Sequence, residues 1–227
     1  MWWSAGGVLI AKLFLAVILV QILHLSAIGI VGVLSGATLK QTSLGLGPVL
    51  FRSRLRGAEV IVRLIPMNGH VQFWRSEDEP PAPQGTPLFD DLPAYKRTAT
   101  HLAGALVVFV VGSAIAGSLL WREAADGVID LFRGALAPTS TGADLLAEMM
   151  MAARERPYHV LVSLLFVKVA AWNLLPIPPL NGGAVLLDLA VPRSRTGARA
   201  AALTVGIFIT LAGFIAWAIA LVTFLRR

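Results

Sequence analysis

Cysteine is absent from this chain and charged residues are scarce, which limits the sites it can form. Without cysteine there is no disulfide framework and no thiolate zinc site, so any metal would need His, Asp or Glu. Charged residues make up 14% of the 227 residues, hydrophobic residues make up 56%, and the mean hydropathy is +0.75. Globular domains carry about 25% charged residues. The composition therefore predicts an integral membrane protein, with the lipid bilayer as its first partner.

The charge that is present is mostly basic, with a net charge of +6 and a pI near 10.5. Its lysines and arginines lie mainly in loops beside hydrophobic runs, where they set membrane orientation and meet anionic headgroups. We therefore expect no nucleic-acid binding.

Four apolar runs predict a mostly α-helical, polytopic protein with four transmembrane helices, at about residues 8–34, 101–121, 158–175 and 201–225. The first run has no basic segment before it and no small-residue cleavage site after it, so it predicts a span rather than a signal peptide. Loops one and three carry most of the basic residues. The positive-inside rule then places these loops in the cytoplasm and both termini outside it.

Residues 43–95, between the first two spans, predict a cytoplasmic β-hairpin followed by a linker. Residues 49–55 and 59–66 are rich in β-branched and apolar residues and flank the turn signal Arg56-Gly57-Ala58. Residues 76–93 are acidic and proline-rich, which is typical of an exposed linker.

Residues 123–157 predict an extracytoplasmic segment with two short amphipathic stretches, at 128–136 and 143–156. In the second span, Gly104, Gly112 and Gly117 permit close helix contact.

The stretch Trp172 to Gly183 predicts a broken segment after the third span, because its prolines cannot donate helical hydrogen bonds. Irregular backbone at membrane depth is tolerated only where protein buries it or where it lines a cavity. A site is therefore expected here, with a simple loop as the alternative. Lys168, in the middle of the third span, is a second intramembrane polar feature, and it either serves this site or extends toward the interface.

The sequence Asn173-Leu174-Leu175-Pro176-Ile177-Pro178-Pro179-Leu180-Asn181-Gly182-Gly183 resembles the NxxPxPxLDGG motif of the site-2 protease family of intramembrane zinc metalloproteases, especially its bacterial members. It departs from the motif only at Asn181, where the family has Asp. Ser43 to Gly47 and Arg63 to Gly69 also resemble family segments, so the resemblance covers nearly the whole chain. It implies a single membrane domain over residues 1–227, a hairpin that dips toward the membrane, and a bacterial cytoplasmic membrane.

The family's HExxH motif falls on His24-Leu25-Ser26-Ala27-Ile28, by spacing to the Ser43 to Gly47 segment. In such a site two histidines at i and i+4 bind zinc, the glutamate takes a proton from metal-bound water, and the aspartate completes the ligand set. Leu25 cannot act as a base and Ile28 cannot bind metal. Asn181 offers only a neutral carbonyl oxygen in place of a carboxylate.

These changes predict a pseudoprotease with no catalytic residue and no catalytic zinc, acting as a scaffold, a regulator or a subunit of a hetero-oligomeric membrane complex. One alternative is an active metalloprotease with zinc held by His24, Asn181 and unusual ligands, of which Asp188, His70 and His101 are the nearest by sequence. A second alternative is a small transporter-like protein. Residues 122–157 are too few for the PDZ domain that many relatives insert there, since such a domain needs about 50 residues.

We expect a cavity at the former metal site. Its predicted lining is His24, Lys168, Asn173, Pro176, Pro178, Asn181, Gly182 and Gly183. Within it, His24 hydrogen-bonds either the Asn181 amide or a backbone carbonyl. The hairpin residues Arg63, Leu64, Ile65 and Pro66 are predicted to grip an extended partner segment by strand addition, or alternatively to form a structural lid.

Overall fold

A computed structural model describes residues 2–118, 120–192 and 194–227, and it is mostly helical with one small β-sheet. Leu119 in the second predicted span and Arg193 in the third loop lie outside the described residues, as does Met1. The elements are α1 (Trp2–Ser35), β1 (Leu39–Leu55), β2 (Ala58–Phe73), α2 (Ala94–Ala116), α3 (Trp121–Leu136), α4 (Ala143–Glu155), α5 (Tyr158–Asn173), α6 (Asn181–Ala190) and α7 (Thr196–Leu225), with short helical turns at Phe89–Asp91 and Pro138–Gly142.

Three helices of the described chain are long and apolar enough to cross a membrane: α1, α2 and α7. The third predicted span corresponds to α5, which has 16 residues. At about 1.5 Å per residue α5 is about 24 Å long, less than the ~30 Å hydrocarbon core. The structure thus supports an integral membrane protein with three long apolar helices.

The boundaries of α2 differ from the predicted second span of residues 101–121. The helix begins at Ala94, directly after Pro93, and ends at Ala116. Gly117 adopts a positive φ of 70°, and the N–H of Ser118 bonds back to the carbonyl of Ser113 at 3.2 Å. This glycine-centred geometry satisfies terminal carbonyls and stops the helix. Gly117, which was predicted to permit helix packing, instead terminates the helix.

The chain forms two compact units, one of residues 14–108 and one of residues 1–13 together with 109–227. In the unit of residues 14–108, β1 and β2 form the predicted hairpin. Its two turn residues, Arg56 and Gly57, both have positive φ values, of 51° and 88°. This is the backbone of a two-residue hairpin turn whose twist matches the strands.

The first part of β1 pairs with two parts of β2. Ser43 pairs with His70 on an antiparallel neighbour and also with Ile61, in a stretch where the two strands run parallel. Ser43 is consequently fully buried. Between the two parts of β1, Gly45 has a φ of 92°, and a Cβ at this position would lie 2.5 Å from the carbonyl oxygen of Ile65. Only glycine allows β1 to bend this close to β2.

The linker of residues 76–93 is mostly exposed, but one aromatic side chain anchors it. Phe89 is 1% exposed and stacks on Phe73 with ring centroids 5.2 Å apart. Its backbone N–H donates to the carbonyl of Trp74 at 2.8 Å. At the other end of the linker, Asp78 accepts a 2.7 Å hydrogen bond from Lys40. Phe89 was not predicted to be buried, because the residues around it are acidic and proline-rich and are typical of an exposed linker.

The same contacts hold Asp78 ionised. Burial alone would raise the pKa of Asp78, but the hydrogen bonds from Lys40 and from the backbone N–H of Arg75 outweigh burial and lower the pKa below its usual value. The contribution of Asp78 to stability is therefore present above its unfolded-state pKa and is lost as the pH falls through the lower folded-state value.

In the second unit, α3 and α5 approach closely, and so do α3 and α7. Gly127 of α3 lies against the aliphatic stem of Lys168, and Gly134 lies against the ring of Trp217. The indole N–H of Trp217 donates to the carbonyl of Leu131 at 3.2 Å. The predicted amphipathic stretch at 128–136 is therefore the second half of a longer helix that packs on α5 and α7.

We expect Phe89→Ala to lower the free energy of unfolding by about 3 kcal/mol, since the truncation leaves a cavity at a fully buried aromatic site. The measurement is thermal unfolding in detergent, with tryptophan fluorescence as the readout. The matched control is Phe51→Ala in the same unit, where the side chain is 57% exposed. Equal effects of the two substitutions would contradict the anchoring role of Phe89.

Candidate functional site

His24, at the first position of the degenerate HExxH motif, is buried against α2. A Cβ at Gly104 would lie 2.8 Å from the ring atoms Cε1 and Nδ1 of His24 and from its carbonyl oxygen. The side chain of His24 is 8% exposed. Glycine at position 104 is therefore what lets α1 and α2 meet at His24. A hydrogen bond from His24 to Asn181, or alternatively to a backbone carbonyl, stays a prediction.

Leu25, at the position of the family's glutamate, packs against the hairpin. It is 5% exposed. A Cβ at Gly69 of β2 would lie 2.6 Å from Cδ1 of Leu25 and 2.7 Å from the carbonyl oxygen of Ser43. The side chain thus fills a narrow apolar space under the strand. No proton acceptor is available at this position.

Ile28, at the position of the second histidine, packs on the apolar cluster of Ala37, Phe73 and Phe89. It also borders a cavity of about 320 Å³. The other lining residues are Val71, Gln72, Phe73, Arg75, Glu77, Asp78, Phe89, Thr100 and His101. His101, one of the nearest spare ligands by sequence, is held edge-on to Phe89 with centroids 5.4 Å apart.

The described side chains do not fit a catalytic zinc ion. Such a site needs three protein ligands from His, Asp, Glu or Cys. Over residues 2–118, 120–192 and 194–227, no three His, Asp or Glu side chains are grouped so that they could hold a metal ion. Two of the spare ligands make other contacts. Asp188 accepts a 2.9 Å hydrogen bond from Arg199, and His70 lies 3.0 Å from the amide nitrogen of Gln41.

His70 is also disfavoured as a cation. Burial first, and the positive charge of Arg63 second, lower the pKa of His70 below its ordinary value.

The broken segment lies between α5 and α6 and folds back on its own backbone. Asn173 ends α5 and donates its side-chain N–H to the carbonyl of Val169 at 2.9 Å. Asn181 begins α6. A Cβ at Gly182 would collide with the carbonyl of Leu174, and one at Gly183 would collide with the backbone of Ile177 and Pro178. The two motif glycines therefore have a packing reason that does not depend on catalysis.

Helix α7 supports the same segment from outside. A Cβ at Gly206 would collide with the carbonyl of Pro178, so the segment and α7 are in backbone contact. Pro178 is buried there, while Pro176 is exposed. At the far end of α6, Arg199 donates to the carbonyls of Leu187 and Val191, each at 2.9 Å, as well as to Asp188. The first turn of α7 thus caps the C-terminus of α6.

Lys168 is exposed, and its stem lies on Gly127. This is the packing expected of a long side chain that covers apolar surface and extends its ammonium group away from it. An ammonium facing His24 stays a prediction.

The hairpin residues divide into two kinds. Arg63 donates to the hydroxyl of Ser43 at 3.2 Å and to the carbonyl of Gly47 at 2.9 Å, so it holds the bent part of β1. Leu64 and Ile65 are 55% and 47% exposed. Of the four predicted partner-binding residues, Leu64 and Ile65 are the ones that present apolar surface.

We expect Gly104→Ala to destabilise the protein by about 1–3 kcal/mol, because the added methyl group must displace the His24 ring or separate the two helices. Thermal unfolding of the purified protein is the measurement. Gly29→Ala is the matched control, since a Cβ at Gly29 meets nothing within 4 Å. If Gly104→Ala behaves like Gly29→Ala, the contact of His24 with α2 is not close in solution.

Comparison with known proteins agrees with the motifs. The sequence model of peptidase family M50 matches residues 12–213, which include both motif regions and the hairpin. No curated protein matches the chain. Because the match covers most of the 227 residues, the chain belongs to peptidase family M50, the site-2 protease family.

Proposed function

We propose that this protein is a catalytically inactive member of the site-2 protease family that acts as a scaffold, a regulator or a subunit of a hetero-oligomeric membrane complex. The observation that carries this proposal is the packing of Leu25. The residue in the place of the catalytic base is an aliphatic side chain, 5% exposed, held against the backbone of Gly69. Neither proton transfer nor metal binding is possible for it.

Two further positions support the proposal. Ile28, in place of the second histidine, packs with Phe73 and Phe89. Asn181 replaces the motif aspartate at the start of α6. A zinc ion would lose the carboxylate that neutralises its charge and one of two imidazoles, while the packing of the surrounding backbone does not require the metal.

We further propose that the exposed side chains of Leu64 and Ile65 contact a partner membrane protein. They lie in the middle of β2, where Ile65 is opposite Leu46 of β1, and their exposed apolar side chains can pack on another molecule. Arg63 keeps the neighbouring part of β1 in place for such a contact.

The test is purification from native membranes in mild detergent. We expect no stoichiometric zinc by elemental analysis, no cleavage of a model membrane substrate, and co-eluting membrane proteins. Stoichiometric zinc together with cleavage would establish the alternative of an active metalloprotease with unusual ligands.

Paired variants locate the partner surface. Leu64→Asp with Ile65→Asp should remove the co-eluting proteins, because a charge in the contact must be desolvated. Leu136→Asp, at a position that is 86% exposed on α3, should leave them bound. Loss of the partner in both cases, or in neither, would remove the hairpin from the interface.

For membrane topology we propose four spans, with α5 continued by the broken segment as the third span. Loops one and three then face the cytoplasm of a bacterial cell and both termini lie outside it, in line with the basic residues of those loops.

Single cysteines test this topology because the chain has none of its own. With an impermeant maleimide on intact cells, we expect Ser140→Cys, between α3 and α4, to react and Ser53→Cys, in the hairpin, to react only after lysis. Both positions are exposed, so unequal burial does not complicate the comparison. Labelling of Ser53→Cys in intact cells would reverse the orientation.

A further inference from the structure

Residues 50–56, the hairpin tip, combine exposed apolar side chains with exposed arginines. Leu50, Phe51 and Leu55 are 63%, 57% and 65% exposed. The arginines Arg52, Arg54 and Arg56 are exposed as well. A water-facing hairpin rarely leaves its large apolar side chains uncovered, so the tip is expected to meet another phase or another molecule.

Strand alternation separates the two kinds of side chain. From Phe51 to Leu55, where the pairing with β2 is regular, successive residues point to opposite faces, so Arg52 and Arg54 share one face while Phe51 and Leu55 share the other. On the apolar face the residues opposite Ser53 and Leu55 are Val60 and Ala58. The hairpin tip therefore has one apolar face and one basic face.

The charge of the hairpin tip is largely uncompensated. Arg52 is paired with Glu59 at 3.4 Å, across the strands. For Arg54 and Arg56 the structure shows no ion pair with any described residue. With three arginines and one glutamate in residues 50–62, the net charge of this stretch is three minus one, or +2.

The connections of the sheet place it at a membrane face. Three residues separate the end of α1 from β1, and α2 begins after the linker, so the sheet sits where two long apolar helices end. At this level the ammonium group of Lys96 donates to the carbonyl of Ser35 at 2.9 Å. The tip folds back to this end of the sheet, because Arg54 is opposite Glu59 and Glu59 is opposite Gln41, near the start of β1. A basic, partly apolar tip here is beside the headgroup layer.

We propose that the hairpin tip is a docking surface for anionic phospholipids, with Arg52, Arg54 and Arg56 binding headgroup phosphates and with Phe51 and Leu55 entering the acyl boundary. Guanidinium groups bind phosphate through paired N–H donors. Apolar side chains on a basic element add burial to that electrostatic attraction. The proposal does not depend on whether the protein cleaves peptides.

The test uses Ser53→Cys as a single labelling site on the apolar face, since the chain has no other cysteine. The labelled protein is reconstituted into vesicles with brominated acyl chains, made of phosphatidylcholine alone or mixed with phosphatidylglycerol. Both leaflets have the same composition, so the orientation of insertion does not matter. We expect stronger quenching of a fluorescent label in the anionic vesicles.

Arginine variants then assign the effect. Replacing Arg52, Arg54 and Arg56 with Gln should abolish the difference between the two lipids, since each basic residue near an anionic surface changes the equilibrium about fivefold. The control triple, Arg122→Gln, Arg154→Gln and Arg156→Gln, removes the same charge from exposed positions elsewhere and should keep the difference. Thermal unfolding checks that both triple variants fold.

Two results would overturn the proposal: equal quenching in both lipids, or a difference that survives in the hairpin variant. Inorganic phosphate added to phosphatidylcholine vesicles distinguishes a free ion from a headgroup. We expect it to leave the quenching unchanged. An increase matching that in anionic lipid would assign the arginines to free phosphate and overturn lipid docking. Quenching that rises only when an acidic membrane protein is reconstituted alongside would replace the lipid with a protein partner.

Discussion

The described structure depends on close contacts that only glycine permits, at positions where a side chain would collide with a neighbouring element. Gly104 of α2 leaves space for the His24 side chain of α1, and Gly69 of β2 leaves space for the side chain of Leu25. Gly206 does the same for the carbonyl of Pro178. In a membrane, where the lipid is as apolar as the helix surfaces, such contacts are a main source of helix association.

This constraint explains how the family's architecture persists when residues at the motif positions differ. A helix that carries HExxH positions its side chains through the packing of its neighbours, and that packing consists of backbone and apolar atoms. Leu25 is 5% exposed, and Ile28 packs on the cluster of Ala37, Phe73 and Phe89. Removing a carboxylate and an imidazole from a dry interior also removes their cost of desolvation. Aliphatic residues at such positions are therefore compatible with the packing of the surrounding helices.

The sequence predicted the strongly patterned features well. Of the four spans predicted from run length, three correspond to long apolar helices. The hairpin around Arg56-Gly57 follows from its turn residues, and the break after α5 follows from its prolines. The family followed from Asn173 to Gly183, where one residue differs from the motif. The ends of α2 were misplaced, because hydropathy does not register the polar first turn at Ala94 or the stop at Gly117.

Other features had no signal in the sequence. The burial of Phe89 depends on Phe73 and Ala37, which lie far from it along the chain, and nothing local distinguishes it from a linker residue. The double pairing of Ser43 depends on a bend that needs two distant parts of β2. Arg199 can cap α6 only because the start of α7 lies beside the end of α6. Single-sequence patterns describe local preference, and these contacts are nonlocal.

The two anchors of the linker have a practical consequence for handling the protein. Asp78 is fixed to Lys40, and Phe89 is fixed to Phe73, while Gly85 between them has open space around it. The ends of a loop held in this way keep their separation when its middle is lengthened, and each doubling of loop length costs only about 0.6 kcal/mol. The interval between the anchors is thus a permissive position for an affinity tag or a reporter domain, one that leaves both chain termini unmodified.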